Sequence, residues 1–113
     1  MITANEARKR TQDIIKSQQA DAMKIVENEW SQFIEPKIIE AIDKGAYGCK
    51  HFWMNSFFIR AKVDVEMFVR AFKDYGDQLG YQINEHCVYE NNEVIRLDIR
   101  ISWYQGETVK CLN

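Results

Sequence analysis

From Ile95 to Tyr104 apolar and polar residues alternate without a break. Ile95, Leu97, Ile99, Ile101 and Trp103 interleave with Arg96, Asp98, Arg100, Ser102 and Tyr104. A two-residue period rich in β-branched and aromatic side chains marks a strand that is wet on one face. The segment before it, Tyr81 to Tyr89, has Tyr81, Ile83, Cys87 and Tyr89 on one face. The two predict a β-hairpin. A two-residue Asn91-Asn92 loop pairs Val88 with Ile95 and sets Ile83 opposite Arg100. A three-residue loop, Asn91 to Glu93, pairs Tyr89 with Ile95, Cys87 with Leu97, Ile83 with Ile101 and Tyr81 with Trp103. The second register sets apolar against apolar, which a slip of one residue would undo. It is favoured on that ground, and Asn tolerates the left-handed conformation the loop requires. Glu85 opposite Ile99 is its weak point, and a bulge there would account for it.

The preceding chain has helical periodicity. Ala4, Ala7, Thr11, Ile14, Ile15, Gln18, Ala22, Ile25, Val26, Trp30, Phe33 and Ile34 recur at steps of three and four, one narrow stripe along a helix of about 30 residues. Thr3 with Glu6 three positions on has capping-box spacing. Pro36 either kinks this helix or opens a new one. Ile38, Ile39, Ala41 and Ile42 follow, and Gly45 is the stop signal. Residues 49 to 54 predict a third strand, and Phe57, Phe58 and Ile59 a connection that buries apolar surface. Asp64 caps a second helix whose buried face is Val65, Phe68, Val69, Phe72, Tyr75 and Leu79, with Gly80 ending it. The prediction is an α+β domain in the order α-β-α-β-β, a three-stranded, mainly antiparallel sheet with helices on one face. Residues 4–34 form a projecting helix, 36–104 the body and 105–113 a tail of one domain.

Small and polar residues in the first helix's stripe suit a helix–helix seam better than a sheet face. The seam assigned to self-association is Ala7, Thr11, Ile14, Ile15, Gln18, Ala22, Ile25 and Val26, giving a homo-oligomer, a dimer or higher.

Composition narrows the classes. At 113 residues the chain makes one domain, and its net charge of −2 argues against a bulk nucleic-acid binder. No apolar run approaches the roughly 18 residues of a membrane span, and the amino terminus lacks a signal-type apolar core. Three cysteines, an odd number, argue against a disulfide framework and for the cytoplasm.

Little in the chain names a chemistry. Cys49 and His51 share a face, but the adjacent His86 and Cys87 point to opposite faces, which argues against a metal site. No phosphate loop, nucleophile elbow or metalloprotease motif occurs, so neither a cofactor nor a catalytic residue is assigned. The wet face of the last strand is more suggestive. Arg96, Arg100 and Tyr104, extended by His51 and Trp53, form a candidate site for a small anionic, nucleotide-like ligand. The competing reading is polar cross-strand pairing centred on Asp98.

The Thr3–Ala7 opening, the Ile38–Gly45 segment Ile-Ile-Glu-Ala-Ile-Asp-Lys-Gly, the Leu79-Gly80-Tyr81 entry to a strand and the closing Ile101-Ser102-Trp103 carry a whole-chain resemblance. The chain resembles small bacteriophage-encoded accessory proteins. The resemblance implies a non-enzymatic protein of the host cytoplasm that binds or inhibits a host protein. A ligand-sequestering protein and a minor structural component of an assembly are the alternatives.

Overall fold

The computed structural model describes residues 1–104. Helix α1 (Ala4–Glu29) opens on Thr3, whose hydroxyl accepts from the Glu6 amide at 3.2 Å. It runs through a wide π turn (Trp30–Ile34) into α2 (Glu35–Asp43), so the chain stays helical from 4 to 43. Pro36 therefore does not split the helix. Its missing N–H leaves one carbonyl of the preceding turn without an intrahelical donor, and it stands directly after the wide turn, where the helical bonding pattern has already changed. In the wide turn the Glu35 amide donates to the Trp30 carbonyl, five residues back. This turn solves a phase problem. Ala22, Val26, Trp30, Ile34 and Ile38 are buried at steps of four. Four residues overshoot an α-helical turn by about 40°, so such a stripe would wind off the core. A turn holding more residues takes up the drift.

Burial begins only at Ala22, and every residue from 1 to 21 is exposed. The projecting part is thus shorter than the whole of 4–34, because residues 22–34 lie within the body. The Cα atoms have a radius of gyration of 17.3 Å and extents of 63 × 29 × 27 Å. A compact chain of this length would have a radius of gyration of about 13 Å.

The sheet is β1 (Gly48–Met54), β2 (Gln82–Glu90) and β3 (Glu93–Ser102), antiparallel throughout, with β3 in the centre. The hairpin combines features of both registers. Its loop is the two-residue Asn91-Asn92, with φ of 52° and 66°, the pairing that a primed turn requires. Yet Cys87 faces Leu97 and Ile83 faces Ile101, the apolar register. A bulge reconciles them: Val88 opposes Arg96 while Tyr89 opposes Val94, leaving Ile95 as the extra residue. The bulge lies next to the turn and not at Glu85. Glu85 does face Ile99, but on an edge strand its carboxylate reaches Lys73 on the covering helix at 2.7 Å.

The inner face of the sheet is three rows deep: Trp53-Leu97-Cys87, His51-Ile99-Glu85 and Cys49-Ile101-Ile83. Helices α1, α2, α3 (Asn55–Ala61) and α4 (Val65–Gln78) cover it. The stretch expected as a connection at Phe57–Ile59 is helix α3. It packs Phe57 and Phe58 edge-on against Phe68 and stops at Lys62 in the left-handed region. Helix α4 is capped by Asp64, which accepts from the Met67 amide. Its buried face is Phe68, Ala71, Phe72 and Gly76, with Val65, Val69 and Tyr75 packed alongside. Leu79 was expected on that face but is exposed, because it sits past the last full turn.

Gly76 lets α4 approach β2. A Cβ there would lie 2.6 Å from both Cγ1 and Cδ1 of Ile83. Alanine gains about 1 kcal/mol of helix propensity over glycine, but overpacking costs about 1–3 kcal/mol. Gly76→Ala is expected to lower the melting temperature. A rise would show that Ile83 turns aside freely.

Candidate functional site

Two surfaces stand apart from the packed body. The first is the projecting part of α1. Ile14 and Ile15 are exposed there, on a helix whose stripe continues into the buried Ala22 and Val26. Of the eight residues assigned to self-association, Ala22 and Val26 are taken by the chain's own core, and Ile25 packs against it. Ala7, Thr11, Ile14, Ile15 and Gln18 remain open to a partner. Grooves flank the point where the helix leaves the body. One, of about 690 Å3, is lined by Gln18, Ala22 and Ile25 against Lys62, Val63 and Met67. The other, of about 310 Å3, is lined by Ile15, Gln19 and Met23 against Met67 and Ala71.

The second surface is the sheet face that no helix covers. Its rows are Met54-Arg96-Val88, Phe52-Asp98-His86, Lys50-Arg100-Asn84 and Gly48-Ser102-Gln82. Arg96 is tied to Asp98: its Nε lies 2.8 Å from Oδ1, and its Nη2 donates to Oδ2 at 3.2 Å. Nε makes no hydrogen bond among the described residues, so its contact with Oδ1 is an ion pair alone. The Arg96 guanidinium also sits 5.8 Å from the centre of the Phe52 ring.

The five residues expected to share a ligand do not converge. Arg96 and Arg100 lie on the bare face, but His51 and Trp53 have the opposite strand parity and face the helices. Trp53 is buried, and its indole N–H donates to the buried Glu29 carboxylate at 2.7 Å. Tyr104 lies beyond β3 and packs edge-on against Tyr47 at 4.7 Å. What β1 does contribute to the bare face, between Gly48 and Met54, is Lys50 and Phe52. Their signal was the one-residue offset from His51 and Trp53, which the strand's weak alternation concealed. Cys49, His51 and Cys87 face inward and His86 outward, so the four do not gather. Among the described residues no three His, Cys, Asp or Glu side chains cluster as metal ligands. Cys111 lies outside the described residues.

His51 is held between rings, stacked on Phe33 at 5.6 Å and edge-on to Trp53 at 4.6 Å. Its Nδ1 is buried and has no hydrogen-bond partner among the described residues. Burial, aided by the nearby Lys37 charge, lowers its pKa from the ordinary value of 6.5 to about 4. The unfolded chain therefore binds a proton in a pH range where the folded one does not. Stability from this site is complete above about pH 6.5 and is lost as pH falls toward about 4. The melting temperature should decline across that window in the wild type and stay flatter in His51→Phe, which keeps the stacking. Parallel profiles would contradict the assignment.

Compared with protein-family models, with curated proteins and with solved structures, the chain matches none. No described helix is long and apolar enough to cross a membrane.

Proposed function

We propose that the chain is a non-enzymatic accessory protein of the kind bacteriophages encode, which self-associates through its projecting helix and binds a host protein. The observation that carries the self-association is the exposed arm. None of its first 21 residues is buried in the chain's own core, while Ile14 and Ile15 continue the core-forming stripe outward. Exposed apolar stripes on rigid elements mark interaction surfaces, and a symmetric second copy covers such a stripe most economically. The phage and host elements of the reading draw support from the whole-chain resemblance.

Affinity capture from host extract tests the reading, with the full chain and with Ile14→Glu/Ile15→Glu as baits. A specific partner held by the wild type and reduced in the variant supports it. Equal capture by both would detach host binding from self-association, and recovery of structural assembly subunits alone would favour a component of a larger particle.

A further inference from the structure

We propose that the bare sheet face is a mononucleotide site, with the phosphate held between Lys50 and Arg100 and the base against Phe52. Lys50 and Arg100 are directly opposed on β1 and β3. Opposed side chains on antiparallel strands start about 5 Å apart, and like charges in that position destabilise the pair. Among the described residues neither cation makes an ion pair, whereas Arg96 is neutralised by Asp98. Lys50 on its own would be explained as a charge guarding an edge strand. That explanation does not reach Arg100, which is on the central strand. An anion seated between them converts the repulsion into two charge-assisted hydrogen-bonding partners.

Phe52 supplies the second half. It lies two residues from Lys50 on the same face, about 6.6 Å along the strand, and is 56% exposed. The ring sits beside the Arg96 guanidinium, and its exposed part offers a stacking surface to a base. A shallow cavity of about 280 Å3 lies on the Phe52 side of the Lys50–Arg100 pair, lined by Lys50, His51, Phe52, Arg96 and Asp98, and Arg100 stands outside it. Its volume is just below the usual range of ligand pockets, about 300–1,000 Å3. One stacking ring, a small cavity and a net charge of −2 suit a single nucleotide better than a polyanionic strand, which needs successive stacking positions and a basic track. The site is independent of the projecting helix, so its test does not rest on self-association.

Calorimetry and thermal shift at low salt decide the matter, using the four nucleoside monophosphates, inorganic phosphate and a short single-stranded oligonucleotide. At least one monophosphate should bind and raise the melting temperature, about tenfold or more tighter than phosphate alone. Lys50→Gln/Arg100→Gln should weaken it about tenfold or more. Phe52→Ser should reduce it to the level of phosphate. Arg100→Gln alone serves if the double variant fails to fold. The proposal is overturned if no monophosphate binds at roughly millimolar concentration, if Phe52→Ser leaves affinity unchanged, or if the oligonucleotide binds in preference to every monophosphate.

Discussion

Leu97→Asp is expected to unfold the protein. Leu97 is fully buried on the central strand, between Trp53 and Cys87. Removing a leucine side chain from a core costs about 2–5 kcal/mol. Placing a carboxylate there without a cation adds a desolvation penalty of several kcal/mol more. Together these rival the whole stability of a small domain, about 5–15 kcal/mol. Circular dichroism should show no cooperative melt. Arg100→Ala, three positions along the same strand but on its other face, is the control. It removes an exposed cation opposed to Lys50 and should leave stability within about 1 kcal/mol. Equal melting temperatures for the two would mean the faces of β3 are reversed.

Ile14→Glu/Ile15→Glu is expected to dissociate the protein without melting its body. Residues 4–21 extend about 27 Å as helix and are all exposed within the chain. Most helical stability in proteins comes from packing of an apolar face, so a partner that covered the stripe would add to the arm's stability. Two carboxylates in the seam repel their copies across a symmetric interface. The variant should sediment as a monomer, with its sheet signal intact and its melting temperature independent of concentration. The wild-type melting temperature should rise with concentration. An unchanged mass for the variant would remove these isoleucines from any interface.

What could be read from the sequence follows from where periodicity is strong. From Ile95 onward β3 alternates without interruption, so its faces, its partner and the Ile83–Ile101 pairing were legible, as were the Thr3 and Asp64 caps. The turn was not, because Asn91-Asn92 permits either loop length and only the bulge at Ile95 lets a two-residue turn coexist with the apolar register. Helix α3 was concealed by composition: Asn-Ser-Phe-Phe-Ile has poor helix propensity, and the packing of Phe57 and Phe58 on Phe68 overrides it. The candidate ligand site failed on parity. β1 carries aromatics on both faces, Phe52 outward and His51 and Trp53 inward, so its pattern does not say which face is wet. Nor does periodicity reveal the π turn, since a four-residue stripe looks helical whether or not the helix widens to sustain it.

The mass of the wild-type protein in solution tests the account most directly. Light scattering at micromolar concentration should give at least twice the 13.4 kDa of the chain. A single species of 13.4 kDa across the concentration range would contradict self-association and mean that the exposed arm of α1 stands alone in water.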